Sequence, residues 1–495
     1  MNSIYSEIIT AKNNTPIPLL KDGRTVDSKY NPENEAQRIV NTLDDNTSFF
    51  VQPGIGSGCI AQKLLEKYPY SKIICVENSS EDLDFLMQLE KVRMLKACKN
   101  VVFCTTDELT ETIVRHYIPS FYGNLEIAVN RAWTSVNNNL DYLNRKINEA
   151  ISIVKADFSV QAHFGKLWMS NIFHNLRLFE KINPSFTADI SKTALILAAG
   201  PSLDNSLKLI NDNPDKYFVI ATDTSFSVLR KKKLKCDAVV SIDAQNVSHN
   251  HFYNCHLYKD TIFVFDLCAD KSSVKMAVKN GLKTVLAHSE HPLSSLASTI
   301  YPDNFIKLYN GSGTVTISAT DFAIKCGFKK IIVCGADFSY IKKPYASGTY
   351  LDELYAKDSN KINTIEKQFS KLMYRTELIA LENSKTTQVL QSYRKSFEDY
   401  LIQNNCIFSR NDNIYTITLK NQNKAASLKN TFNFKEFTSK FEYKEKEIKY
   451  IEDLSEYDIS LLPLNSWLKN FDNKNNKTFT ENLKFSYNYI KRYFV

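Results

Sequence analysis

The stretch ALILAAGPSLDNSLKLI, from Ala194 to Ile210, decides how the chain is read. The apolar run Ala194 to Ala199 does not alternate, so it predicts a strand covered on both faces, as in a parallel sheet. A sharp turn at Gly200-Pro201-Ser202 follows, and then a helix. Gly200 has no Cβ, which lets backbone come close to a ligand. Ser202 is a candidate helix cap, leaving the first N–H groups of that helix to face a crevice suited to an anion such as phosphate. The same residues also suit a plain strand-to-helix turn, and this stretch alone does not separate the two.

Strands and helices alternate on the C-terminal side. YFVIATDTSFSVLRKKKLKCD reads as a strand ending at Thr222-Asp223-Thr224 and then a helix, and DAVVSIDAQNVSHN as a strand ending at Asp243-Ala244-Gln245. TIFVFDLCAD and KTVLAHSEHP supply two more strands. GSGTVTISATDFAIKCGFKKIIVCGADFSY reads as a Gly-Ser loop, a helix over Val315 to Cys326, a strand over Lys330 to Cys334, and Gly335-Ala336-Asp337. The pattern is that of an open, mostly parallel α/β sheet with helices on both faces, which binds ligands just past the carboxyl ends of its strands. Ser202, Asp223, Thr224, Asp243, Ser312 and Asp337 all fall there. One such Asp is often a helix cap, whereas three at one sheet edge suggest a site. Tyr340 and Tyr345 follow Asp337, and phenol hydroxyls so spaced on a loop can hold a phosphate, although in a chain with 26 tyrosines packing roles are common.

The N-terminal side holds a second glycine-rich turn. SFFVQPGIGSGCIAQKLLEKYPYSKIICVENSS reads as a strand (Phe49 to Gln52), glycines 54, 56 and 58, a helix (Cys59 to Lys67), a strand (Lys72 to Val76), and Glu77. This is half of a dinucleotide-type fold, with an acid where a ribose hydroxyl could be bound. The spacing is G-x-G-x-G rather than G-x-G-x-x-G, so a nucleotide or S-adenosylmethionine site stands beside a structural turn. Asn31-Pro32 with Glu33 and Glu35 predicts a helix start. The helix SVQAHFGKLWMSNIFHNLRLFEKI has an apolar stripe including Trp168, Ile172 and Leu176, with His163 and His174 read as surface or packing residues.

With 495 residues the chain is too long for one ordinary core. We place a Rossmann-like domain at 1–158, a larger doubly wound domain at 159–440 and a mainly helical tail at 441–495. Within 351–403, Phe369, Leu372, Leu378 and Leu381 read as a helical core stripe, and CIFSRNDNIYTITLK as a return to strand. The tail's many aromatics either contact an acceptor or pack on the second domain. The net charge of +8 is spread along the chain, pointing to anionic small ligands or an acidic partner without establishing nucleic-acid binding. Ten cysteines with no C-x-x-C pair read as reduced, buried residues. MNSIYSEIIT lacks a signal-peptide layout and no apolar run is long enough to span a bilayer, so a cytoplasmic protein is expected.

Five motifs, GRTVDSKYNPENEAQRI, LILAAGPSLDNSL, VIATDTSFSVL, DAVVSIDAQ and the long GSGTVTISATDFAIKCGFKKIIVCGADFSY, resemble in sequence and order the motility accessory factor glycosyltransferases. That family carries the domain also described as 6-hydroxymethylpterin diphosphokinase MptE-like, and the resemblance covers roughly residues 15 to 345. It implies transfer of a nonulosonic acid (sialic, pseudaminic or legionaminic type) from a CMP-activated donor to Ser or Thr of flagellin, in support of motility. It further implies a central domain similar to bacterial sialyltransferases. By that resemblance the donor lies against Gly200, Pro201, Ser202, Asp223, Thr224, Asp243, Ser312, Gly313 and Thr314. Asp337, Tyr340 and Tyr345 are then catalytic, the two tyrosines steadying the phosphate of departing CMP. No metal and no cofactor beyond the activated sugar is implied, and no nucleic-acid or membrane partner.

The sialyltransferases place a catalytic histidine downstream of the two tyrosines, whereas no histidine follows His291 here. Asp337, Asp352 and Glu353 are replacement bases by type, and His249, His251, His288 and His291 lie on loops of the same sheet. Two alternatives remain: an ATP- and Mg²⁺-dependent pterin diphosphokinase, although no G-x-x-x-x-G-K-[ST] is present, and a non-catalytic flagellin-binding chaperone.

Overall fold

The structure, a computed structural model, describes residues 3–136, 140–311, 313–411, 413–420, 427–471 and 477–494. Two compact units emerge: Met1–Gly165 with Tyr443–Asp458 and Leu462–Ser486, and Lys166–Glu442 with Ile459–Leu461 and Tyr487–Val495. The division expected at 158/159 falls inside one helix, Leu140–Phe179, because no proline or helix-ending run interrupts it. The tail carries the helices Leu462–Phe471 and Phe479–Ile490 and is divided between the units. A segment that short cannot build a core of its own. Leu464, Leu468 and Leu483 are instead buried in the first unit, and Tyr487, Tyr489 and Ile490 in the second.

In the first unit, strands β1 (Tyr5–Thr10) and β2 (Pro16–Leu20) form an antiparallel hairpin. Strands β3 (Phe49–Pro53), β4 (Lys72–Glu77), β5 (Val101–Thr105) and β6 (Leu125–Ile127) make a parallel sheet in the order β5-β4-β3-β6. The helix Pro32–Asn41 starts where expected, with the Asn31 side chain accepting from the Asn34 amide. Gly54, Gly56 and Gly58 all take positive φ (77°, 55° and 82°), which is why glycine recurs there.

This turn is filled by the chain itself. A Cβ on Gly54 would lie 2.5 Å from Trp133, and one on Gly56 would lie 2.6 Å from the Asp27 carboxylate. Asp27 accepts from the Ser57 amide at 2.8 Å. Glu77, the expected ribose ligand, is fully buried. It accepts from the Ile55 amide (2.7 Å), the Trp133 Nε1–H (2.7 Å) and the Tyr5 hydroxyl (3.0 Å). The structural reading of the turn therefore accounts for its glycines and its acid.

In the second unit the strands are β7 (Thr193–Leu197), β8 (Tyr217–Thr222), β9 (Ala238–Ser241), β10 (Ile262–Asp266), β11 (Lys283–His288), β12 (Ile306–Lys307) and β13 (Lys330–Cys334). A small hairpin, β14 (Ile379–Ala380) and β15 (Lys385–Thr386), and a longer one, β16 (Cys406–Asn411) and β17 (Ile414–Leu419), follow. Among the described residues the main sheet has nine strands in the order β12-β11-β10-β9-β8-β7-β13-β17-β16. Strands β7 to β13 run parallel and β17 and β16 close one edge antiparallel. Ala194, Ile196, Ile220 and Val240 on one face pack in a core with the helix Val315–Cys326 and with Phe397, Tyr400 and Leu401 of the helix Gln388–Gln403. On the other face Phe226 and Phe252 meet Phe263 and Phe265 at centroid distances of 5.6 and 5.2 Å.

The expected core stripe at 369–381 does not exist. Its helix ends at Met373, Leu381 is 45% exposed, and the chain turns into the β14–β15 hairpin, closed by the Leu381 amide on the Ser384 carbonyl. The 3.6-residue apolar spacing there continued by chance through a turn. The helix expected after Ser202 is two short ones, Leu203–Ser206 and Lys208–Asp212.

Strand order reverses between β7 and β13, and the two strand ends come nearly into contact. The Ala198 amide donates to Cys334 O and the Gly200 amide to Gly335 O, both at 2.8 Å. A Cβ on Gly335, whose φ is 72°, would collide with Ala198 O.

Two outcomes test these contacts. Burial pushes the carboxyl of Glu77 up to about 8 and that of Asp27 up to about 7. The folded chain thus holds protons that the unfolded chain releases, so stability is full at low pH and declines as pH rises toward 8. Glu77→Leu strands three buried donors at roughly 1–3 kcal/mol each. It is expected to lower the stability of this unit by at least ~3 kcal/mol and to flatten that pH slope, read by urea unfolding followed through tryptophan fluorescence. Gly335→Ala is expected to cost about 2–4 kcal/mol, from the positive φ and the collision together, read as a drop in the melting temperature of the second unit.

Candidate functional site

The reversal point between β7 and β13 opens a crevice at the carboxyl ends of the strands, the usual binding position in such sheets. Asp337, three residues past β13, reaches across it. Its Oδ2 accepts from the Ser202 amide at 2.8 Å and its Oδ1 from the Ser202 hydroxyl. Ser202 therefore does not cap the following helix, and its amide is not free for an anion as the sequence suggested. The Leu203 amide is also used, on Gly200 O. Gly200 is needed because a Cβ there would lie 2.6 Å from the Asp337 carboxylate. Burial raises the Asp337 pKa and the two Ser202 bonds oppose that rise. Arg410, on β16, donates to Asp337 O at 3.1 Å. With both oxygens engaged, Asp337 acts here as a positioning residue that clasps the turn.

The loop after Asp337 returns to the same turn. The Ala346 amide donates to Ala199 O at 2.9 Å, bringing Tyr345 beside the end of β7. Tyr340 is held from the other side by paired backbone bonds with Lys385 on β15. Lys343 forms an ion pair with Asp204 at 2.7 Å, fastening the loop to the short helix after β7. Burial, then the phenols of Tyr340, Tyr350, Tyr355 and Tyr393, push the Tyr345 hydroxyl up to about 12. Burial likewise raises Tyr340. Both phenols stay protonated at neutral pH and so can donate to an anionic oxygen.

The helix Val315–Cys326 packs on β7, β8 and β9 of the same sheet. Thr314 precedes it in extended conformation without capping it by its side chain, and Gly313 takes φ 68°, with open space except for the Tyr393 hydroxyl. Ser312 lies outside the described residues. The loop is held by Asp321, which sequence reading missed. This buried carboxylate accepts from the Tyr309 amide (2.7 Å) and the Tyr400 hydroxyl (2.6 Å), and pairs with Lys325.

Asp223 and Asp243 do not join Asp337. They form a neighbouring cluster past β8 and β9. Asp223 is buried, accepts from Thr224 N (2.7 Å) and from the Ser241 hydroxyl (2.9 Å), and so ties β8 to β9. Asp243 accepts from Gln245 N (3.0 Å) and the Ser248 hydroxyl (2.8 Å). His251 belongs to this cluster. It is buried, its ring lies edge-on to Tyr350 at 4.8 Å, and its Nδ1 has no hydrogen-bond partner among the described residues. Burial pushes its pKa down, against the pull of the Asp223 and Asp243 charges. Of the other candidates, His291 is half-buried against Trp168 and accepts the Leu293 amide as a helix cap. The His174 Nδ1–H donates to Ser170 O (2.6 Å), and the ring packs on Tyr493, as a packing residue would.

Two further residues escaped the sequence reading. Asn171 and Asn175 lie one turn apart on the helix Leu140–Phe179, fully buried. Asn171 donates to Ala244 O and Cys268 O, and Asn175 to Leu267 O and Ala269 O, all within 3.0 Å. They hold the loops after β9 and β10, Asp243 included. Two asparagines at i, i+4 inside an apolar stripe were the available signal.

Three proteins of Treponema pallidum, each described as uncharacterized, are similar. One is 32% identical over 206 residues, 38% of this chain and 94% of the relative. The second is 31% identical over 169 residues, 33% of this chain and 59% of the relative. The third is 25% identical over 356 residues, 66% of this chain and 60% of the relative. The chain thus spans about 60% of the length of the latter two. Among solved structures, a Maf glycosyltransferase from Magnetospirillum magneticum AMB-1 shares the fold, with a TM-score of 0.52 at 12% identity, over 81% of this chain and 67% of that one. Residues 166–343 match the model of the family described as 6-hydroxymethylpterin diphosphokinase MptE-like. That match runs from the helix before β7 to the loop after β13, taking in every parallel strand around the crevice, and the chain belongs to this MptE-like family.

Proposed function

We propose that the chain is a glycosyltransferase that moves a nonulosonic acid from a CMP-activated donor to a Ser or Thr hydroxyl of flagellin. The observation that supports this reading is two protonated phenols, Tyr340 and Tyr345, on the loop that borders the crevice after β7, together with a helix start at Thr314 that no side chain among the described residues caps. Such a crevice suits a leaving phosphate. In the reaction the acceptor oxygen bonds to the anomeric carbon of the sugar, and the bond from that carbon to the phosphate oxygen breaks. The electron pair leaves with CMP, whose charge Tyr340 and Tyr345 stabilise by hydrogen bonding. The acceptor proton passes to His251, which its buried position keeps unprotonated at neutral pH. Gly200, Pro201, Ser202, Gly313 and Thr314, with Ser312, line the donor; Asp223, Thr224 and Asp243 flank the nucleotide; Asp337 positions the turn. The reading requires no metal or cofactor beyond the activated sugar, and no nucleic acid or membrane.

A second reading, transfer of diphosphate from ATP to a pterin alcohol, is favoured by the description of the matched family model. Calorimetry separates the two. CMP is expected to bind, and Tyr345→Phe to weaken it about tenfold by removing a hydrogen bond to a charged group. Ser312→Ala is expected to act in the same direction. Binding of ATP with Mg²⁺ and a pterin, and none of CMP, would overturn the transferase in favour of the kinase.

A further inference from the structure

A groove of about 630 Å³ lies on the second unit, lined by the connection from β8 to β9, the loop after β9 and Glu353. Four of its residues are cationic: Arg230, Lys231, Lys233 and Lys235. Lys231 pairs with Glu353 (2.9 Å) and Lys235 with Asp237 (3.1 Å). Lys233 and Arg230 form no ion pair among the described residues, and Lys233 is exposed. Arg230 is half-buried and its Nε is buried with no hydrogen-bond partner among the described residues. Burial disfavours its charge, the Glu353 carboxylate opposes that without forming an ion pair to it, and the guanidinium's fork of donors matches a carboxylate in shape. The opposite wall is apolar. Tyr253 and Leu257 are 67% and 71% exposed, on either side of Asn254, whose φ of 59° makes the turn that presents them.

The groove adjoins the crevice. The 3₁₀ segment Asn246–Phe252 buries His251 on the crevice side, and the chain leaves it directly into Tyr253 and Leu257 on the groove side. Glu353 sits on the helix Tyr350–Lys357, whose first residue packs on His251. Lys231 also donates to Thr349 O at 3.2 Å, joining groove and tyrosine loop.

We infer that this groove docks an acidic peptide segment of the protein acceptor: a carboxylate on Arg230, further acids on Lys233, and a large apolar side chain between Tyr253 and Leu257. The inference rests on the transferase reading and names the acceptor chemistry that reading leaves open. Charge complementarity selects the peptide, and the two exposed apolar residues favour a protein over a bare phosphate chain.

The test uses the full chain, a fluorescein-labelled peptide Asp-Glu-Leu-Ser-Phe-Glu-Asp, its Lys-substituted counterpart, and a labelled oligothymidylate, followed by fluorescence anisotropy. Only the acidic peptide is expected to bind. Lys233→Glu and Leu257→Ser are each expected to weaken it about tenfold or more, and Lys233→Glu to gain binding of the Lys peptide. CMP calorimetry on the same variants is expected to match wild type. Equal peptide binding by wild type and both variants, or tighter binding of the oligothymidylate, would overturn the groove. Loss of CMP binding in the wild type itself would instead remove the transferase reading, whatever the peptide does.

Discussion

Two strand ends that nearly touch hold the second unit's chemistry together. Where β7 and β13 finish, the backbone bonds from Ala198 to Cys334 and from Gly200 to Gly335 leave no room for a side chain on either glycine. That closeness lets the Asp337 carboxylate reach Ser202, and it brings the following loop back to Ala199. Tyr340 and Tyr345 lie between those two anchors. Their direction is thus a consequence of strand crossing rather than of the loop's own preferences, which at that length would leave it free.

The surrounding polar groups serve the same end. Asn171, Asn175, Asp321 and Asp223 are buried, and each ties backbone or hydroxyl groups from separate loops. Buried polar groups are costly when unpaired and rigidifying when satisfied, so they fix loop geometry with little tolerance. His251, like the Oδ1 atoms of Asn171 and Asn175, keeps an unpartnered buried atom among the described residues. Its Nδ1 is buried without a partner beside two carboxylates, which is an expensive arrangement for a purely structural residue.

The two units use related turns to opposite effect. Each has a parallel strand, a glycine turn and a helix. In the first unit Asp27, Glu77 and Trp133 occupy the space above the glycines. In the second, the clasp of Asp337 on Ser202 closes the turn itself. Glycine at such a turn reports a close backbone approach; what approaches is set by residues elsewhere in the chain.

Much of the architecture was legible in the sequence because it is local. The helices Cys59–Lys67 and Val315–Cys326 and the strand Lys330–Cys334 fall where apolar periodicity and glycine punctuation put them. The parallel sheet followed from unbroken apolar strands alternating with helices, and the family from five motifs in order. The stripe from Phe369 to Leu381 failed because periodicity cannot tell a helix from a turn that happens to keep its spacing. Which polar residues share a site was decided only by tertiary structure. Strand order sets Asp337 against Ser202, and places Asp223, Asp243 and His251 in a cluster of their own. No spacing along the chain records strand order, since β13 lies beside β7 with five strands of intervening sequence.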